Sequence, residues 1–293
     1  EAAAVMGLKQ PSVSAALKRL ETVVGRQLIV RKPNEFAVTR AGQRLYTECT
    51  AIFGTVSQLP TLLKEEVAEL RGHLSIVVTS AVSSTHFDDI LHGFSATHPG
   101  VTFSFDVQES AEVESMIARN RASFGICLLS APPKALEILE LYREHFGLYC
   151  GPRHPLFDAA AVSTEDLEGE PFVAFQTETP GGPLEEISRL RNRLKLSPQW
   201  RGVSSSLHEI RRMIMAGIGI GALPVHVAQL DVAAGHLRQL PPYTGLPGTS
   251  VYLISNPARR FTEAEAAFLA RIEAAVAAIP RADRTYGSPP AGA

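Results

Sequence analysis

The stretch that decides the fold is Gln10-Pro11-Ser12-Val13-Ser14-Ala15-Ala16-Leu17-Lys18-Arg19-Leu20-Glu21. Pro11 stands where a helix opens and a missing N–H costs nothing. Val13, Ala16, Leu17, Leu20 and Val24 then recur at helical spacing, an apolar stripe expected to be buried. The opposite face carries Ser12, Ser14, Ala15, Lys18 and Arg19, and Gly25 ends the helix. Working outward, residues 1–6 are strong helix formers stopped by Gly7, with Leu8, Lys9 and Gln10 as a short turn between two helices. The sequence opens at Glu1 without Met, inside that earlier helix. Downstream, Leu28 to Val30, Pro33-Asn34 and Phe36 to Val38 read as strand, turn and strand, a small wing. Thr39 is placed to cap the next helix.

Bulk properties frame this reading. The chain has 293 residues, enough for about two domains. Residues 1–50 hold eight Lys and Arg against four Glu, a net +4, which leaves −6 for the remainder of a chain at −2 overall. A basic head on an acidic body fits a protein that meets phosphates at one end. Cys49, Cys127 and Cys150 are far apart without CxxC spacing, against a disulfide framework or zinc site and in keeping with a reducing cytoplasm. There is no apolar run long enough to span a bilayer and no visible secretory signal, so the expectation is a cytoplasmic protein without membrane attachment.

From Leu45 the apolar positions Cys49, Ile52, Val56, Leu59, Leu63, Val67 and Leu70 follow a near-heptad seam, interrupted by Pro60. A long helix with so narrow a stripe reads as a dimerising linker, or as a helix that packs on its own domains. After Arg71-Gly72, strand and helix patterns alternate: strands at 74–79, 101–107 and 124–129 with helices at 87–95 and 113–119. A second series comes next, with strands at 146–150, 172–175, 199–203 and 218–223 and helices at 184–194 and 207–216. A strand at 251–254 and a helix at 263–279 close the pattern, and the Pro-, Gly- and Ala-rich residues beyond Pro280 read as disordered. Such alternation implies mostly parallel sheets covered by helices.

The run from Gln10 to Glu21, continued by Gly25, Leu28, Arg31, Val38, Thr39, Ala41-Gly42 and Leu45, resembles the recognition helix and wing of LysR-type transcriptional regulators. Phe94 to Pro99, Arg153-His154-Pro155-Leu156 and Met215 to Pro224 resemble effector-domain landmarks of that family, and the likeness extends over residues 1–280. It implies an all-α winged helix-turn-helix head at 1–42, a dimerising linker helix at 43–71 and an effector module at 72–280. The module is expected to hold two Rossmann-like α/β subdomains, one of residues 73–132 plus 256–280 and one of 133–255, similar to type II periplasmic binding proteins. Residues 281–293 form the tail. The resemblance also implies a homodimer or homotetramer. The sequence departs from the family at several points. Ahead of Glu1 there is no counterpart of its first helix, so the head reads as N-terminally truncated. Lys9 replaces a usual Ser, Ser123 a common Asp, and Phe87-Asp88 a Leu-Pro pair.

Short polar side chains at a recognition helix's leading end let its backbone approach base edges. Lys9, Gln10, Ser12, Ser14 and Lys18 are therefore candidate contacts to double-stranded DNA, and Arg31 on the wing a candidate for the phosphate backbone or minor groove. In the module, Ser80, Ser110 and Ser204 follow strands and match effector-contacting positions, as Cys127 matches the crossing between subdomains. Hydroxyls beside helix starts suit a small organic anion, although helix capping explains the same serines. No cofactor or metal is implied. Gly217-Ile218-Gly219-Ile220-Gly221 has the wrong spacing for a dinucleotide fingerprint, and catalytic motifs are absent. A small-molecule enzyme and a solute-binding protein are the alternatives to a regulator.

Overall fold

A computed structural model describes residues 10–32, 35–49, 52, 70–80 and 82–287, without the side chains of Gln10, Arg31, Lys32, Glu35 and Phe36. The expected helix at 1–6, Lys9, the Pro33-Asn34 turn, most of the linker seam with Pro60, and residues 288–293 lie outside the described residues. The chain divides into two compact units, Glu1–Glu65 and Glu66–Ala293.

In the first unit, α1 (Gln10–Val24) ends where Gly25 takes φ +66°, a conformation that favours glycine. Glu21 ties the helix to the segment beyond that turn, its Oε1 accepting from the backbone N of Leu28 at 2.7 Å and of Ile29 at 3.2 Å. Strands β1 (Ile29–Lys32) and β2 (Glu35–Val38) pair antiparallel, Ile29 opposite Val38. Residues 40–49 are helical, and Thr39 caps them by accepting from Gly42 N at 3.0 Å. Gly42 has no room for a side chain: a Cβ there would lie 2.2 Å from Leu28 O. The stripe expected to be buried along α1 is half open. Val13 and Leu17 are partly covered, but Ala16, Leu20 and Val24 are exposed. A unit this small presents too little apolar surface to cover a whole helix face.

The second unit is built on one ten-stranded mixed sheet, whose main path runs β4-β3-β5-β11-β6-β9-β7-β8. Its first half is β3 (Gly72–Val78), α2 (Thr85–Thr97), β4 (Val101–Val107), α3 (Ser110–Ala118) and β5 (Phe124–Leu128), with β3 between β4 and β5, all parallel. Its second half repeats the plan with β7 (Phe172–Phe175), α4 (Glu185–Arg193), β8 (Trp200–Ser204), α5 (Leu207–Met215) and β9 (Ile220–Pro224). Buried Leu74, Ile76, Phe94, Phe124 and Phe268 fill the core of the first half, where α7 (Glu263–Ala278) lies on the sheet. Phe172, Ile187, Ile210, Ile214 and Ile220 fill that of the second.

The halves are joined by β6 (Glu137–Cys150), which is long enough to serve both. It pairs antiparallel with β11 (Gly248–Ser255) through His145 and with β9 from Phe146 onward. The family resemblance implies residues 133–255 as one subdomain. Instead the first half's sheet takes in both β11 and the leading part of β6. Charges at Glu137, Glu140, Arg143 and Glu144 hide that strand from a hydrophobicity reading. The helix α6 (Val225–Ala233) and strand β10 (Arg238–Leu240) complete the second half. Past Pro280, where composition predicts disorder, residues 281–287 are ordered. Strand β12 (Thr285–Tyr286) pairs parallel with β6, and Arg284 Nη1 donates to Glu140 O at 2.9 Å.

Candidate functional site

Parallel β-α-β units leave their ligand crevice at the carboxyl ends of the strands. In the first half, Val78 and Val107 pair at the ends of β3 and β4, so the loops carrying Ser80 and Ser110 leave the sheet side by side. In the second half, Phe175 and Ser204 pair at the ends of β7 and β8. The structure brings two of these loops together across the halves. Ser80 Oγ donates to Ser205 O at 2.9 Å and accepts from Leu207 N at 3.2 Å. Leu207 opens α5, and the N-cap residue Ser206 makes no side-chain capping bond there. A serine 127 residues away thus supplies the missing cap.

The other candidates divide. Ser204 Oγ accepts from Ser206 N at 3.1 Å, a local turn bond just ahead of the helix, so its hydroxyl is engaged within its own loop. Ser110 is the first residue of α3 and is buried, while Glu109 occupies the cap position. Cys127 is 0% exposed on β5, packed with Val77, Val113, Ile117, Ala122 and Ile254. Burial, with a contribution from the charge of Glu114, pushes its thiol up to about 12. The thiol is packed, yet Cys127 is the next-to-last residue of β5 and directly follows Ile126, whose O accepts from Thr79 N beside Ser80.

Beside the bridging loop lies a cluster that sequence reading missed. Ser83 N donates to Tyr142 Oη at 3.1 Å, and His226 Nε2 lies 3.0 Å from Ser83 O. Ser84 Oγ caps α2 by accepting from Phe87 N and meets Tyr286 Oη at 2.9 Å. The Tyr286 ring stacks on His226 with centroids 4.6 Å apart. Glu144, 0% exposed, reaches to 3.9 Å from His226 Nε2, and neither of its oxygens has a hydrogen-bond partner among the described residues. Burial pushes Glu144 up to about 8, and burial also lowers His226, partly offset by its bond to Ser83. A second buried carboxyl, Glu178 in the loop after β7, is also pushed up to about 8 by burial. It accepts from Phe175 N at 2.9 Å. These residues come from separate elements and have no shared spacing, so no sequence signal marks them.

On the first unit, Ser12, Lys18 and Arg19 are exposed along one side of α1, Ser14 is half-buried beside them, and Gln10 begins the helix. Lys9 and the side chains of Gln10 and Arg31 lie outside the described residues. Among the described residues there is no group of three or more metal-ligating side chains, and no helix long and apolar enough to cross a membrane.

Two family models match the chain: LysR substrate binding domain over residues 68–277, and bacterial regulatory helix-turn-helix protein, lysR family, over residues 1–43. The HTH-type transcriptional regulator CfxR of Cupriavidus necator is 29% identical over 243 residues, 82% of this chain and 74% of that protein. Among solved structures, CbnR, a LysR family transcriptional regulator, aligns with TM-score 0.68 at 16% identity, covering 94% of this chain and 92% of CbnR. The effector binding domain of QuiR in complex with shikimate aligns with TM-score 0.58 at 15% identity, covering 69% of this chain and 96% of that domain.

Proposed function

The chain belongs to the LysR family of bacterial transcriptional regulators, and from that membership we propose how its two units divide the work. The family consists of DNA-binding regulators and not of enzymes. The first unit is a winged helix-turn-helix head of the all-α class, with α1 as the recognition helix in the major groove and the β1–β2 hairpin as the wing. Gln10, Ser12 and Ser14 read base edges, Lys18 contacts a phosphate or guanine, and Lys9 and Arg31 contact the backbone. The second unit is a type II periplasmic-binding-like module that senses a small organic anion between its halves. QuiR, whose effector domain shares this fold, is held in complex with shikimate, which supports a ligand of that size. The protein acts in the cytoplasm as a homodimer or homotetramer on a two-fold DNA site.

The observation that carries the sensing half is the reach of Ser80 from β3 to the start of α5. A helix N-terminus favours negative charge, and here a neutral hydroxyl holds the place a carboxylate would take. Effector binding is then an exchange of one acceptor for another, coupled to the angle between the halves. Ser80 and Ser110 make the contacts; the hydroxyl of Ser204 is committed locally and Cys127 is left out. A screen of small organic acids by thermal shift tests this, because a ligand that binds only the folded state raises Tm. A hit whose shift survives Ser80→Ala and Ser110→Ala together would refute the assignment. For the head, Lys18→Ala is expected to weaken DNA binding evenly across sequences and flatten the salt dependence by about one unit of slope. An unchanged gel-shift titration from low to physiological salt would remove Lys18 from the interface.

A further inference from the structure

We propose that His226 and Glu144 form a proton-operated latch, in which the single N–H of His226 holds the loop after β3 in place until Glu144 ionises and draws that N–H away. The latch is a matter of hinge geometry and needs neither DNA nor effector.

Glu144 sits on β6 two residues before the strand changes partner from β11 to β9, where the halves of the module join. His226 stands in the first turn of α6, in the second half, yet its Nε2 meets the carbonyl of Ser83 in the first half. A carbonyl only accepts, so Nε2 carries a proton; burial, which lowers His226, favours the neutral ring with a bare Nδ1. That Nδ1 is buried without a hydrogen-bond partner among the described residues. The same Nε2 is 3.9 Å from Glu144 Oε2. One donor therefore faces two acceptors.

The charged and titratable groups around Glu144 leave it few choices. Tyr142, on its own strand, is held neutral by burial and accepts from Ser83. Tyr286, from β12, is turned to Ser84. Asp88 and His86, from α2, face Tyr142 and Tyr286 respectively, and His86 also meets Asp283 O. Arg143 points to Gly248 O and Ser250 Oγ on β11, His145 Nδ1 meets Tyr286 O, and Arg284 donates to backbone carbonyls. Among the described residues no cation other than a protonated His226 lies within ion-pair distance of Glu144.

While Glu144 is protonated it makes no strong claim on His226, and the N–H stays on Ser83. Once its proton has gone to solvent, the buried carboxylate has no donor. A charge-assisted bond then outweighs one to a neutral carbonyl, and the N–H moves from Ser83 O to Glu144 Oε2. The loop holding Ser80 and Ser83 is freed from the second half on that side. Rising pH opens the latch.

Hydrogen exchange on the full chain, measured from pH 6.5 to 9 and corrected for the intrinsic exchange rate, tests this. Peptides spanning residues 80–84 should lose about tenfold protection as pH passes the Glu144 titration, on the order of the one neutral hydrogen bond given up at Ser83 O. Peptides over 101–107 and 172–175 should hold theirs. Glu144→Gln should keep 80–84 protected throughout; if that variant does not fold, Glu144→Leu gives the same reading. A flat wild-type profile, or variants that follow the wild type, would overturn the latch and leave the regulator reading untouched.

Discussion

Replacing Glu144 with glutamine should make the protein more stable, by an amount that grows with pH. In the unfolded chain the carboxyl titrates near 4.5; in the folded protein it titrates near 8. Between those values the unfolded state releases a proton that the folded state retains, so every pH unit favours unfolding by about 1.4 kcal/mol. The deficit is about 5 kcal/mol at pH 8 and is constant above it. This is an upper bound, because hinge opening relieves part of it. Glutamine fills the same space and does not titrate. Glu178 carries a similar shift, but it is present in both proteins and cancels. For a module of this size 1 kcal/mol moves Tm by about 2–4 °C. The gap between variant and wild type should therefore widen by about 3–6 °C per pH unit from pH 5 to 8 and then level off. Paired thermal denaturation in buffers at pH 5, 6, 7, 8 and 9 measures it. A gap that stays constant from 5 to 8, or that narrows, would show that Glu144 is not a buried neutral acid and would refute the reasoning.

Three further outcomes rest on named contacts. Ser80→Ala removes both bonds between the loop after β3 and α5, and should raise exchange at the Leu207 amide by about tenfold, on the order of one neutral hydrogen bond. Ser123→Ala takes one donor, at 2.5 Å, from the buried carboxylate of Glu265, which keeps Arg259 at 2.7 Å and Thr262 N at 2.8 Å. Urea denaturation should show a loss of about 1.5–3 kcal/mol, as for a hydrogen bond to a charged group. Cys127→Ser places a hydroxyl among apolar side chains and should cost about 1–3 kcal/mol while leaving effector affinity alone; a changed affinity would return Cys127 to the binding site.

The features legible in the sequence are those that repeat along the chain. Strands 101–107 and 172–175 are fully legible, the first as an apolar–polar alternation opened by Pro99-Gly100 and the second as a short apolar run. The hairpin pairing of Ile29 with Val38 and the cap at Thr39 come from local chemistry alone. The first nine residues of β6 escape because charged residues interrupt both of their faces and their partner, β11, lies about a hundred residues away. The site is legible only in part for the same reason. Ser80 is marked by its place after a strand, but nothing near it announces that its partner is Leu207. Glu144 and His226 lie on different elements, and each reads alone as an ordinary polar residue. Tyr286 lies in a tail that composition assigns to disorder, since Pro and Gly content cannot register one tyrosine ring packed on a histidine.

That short parallel strand at the carboxyl end has a practical meaning for anyone who cuts the sensing module free. A fragment stopped at 280, where α7 has finished, would look complete by its helices and main strands. It would lack the Arg284 guanidinium, which donates to the carbonyls of Ile279, Glu140 and Leu141, and the ring that shields His226. Water would then reach the hinge, and the excised piece would report the behaviour of its own wound. Fragments meant to measure ligand response should run through Gly287.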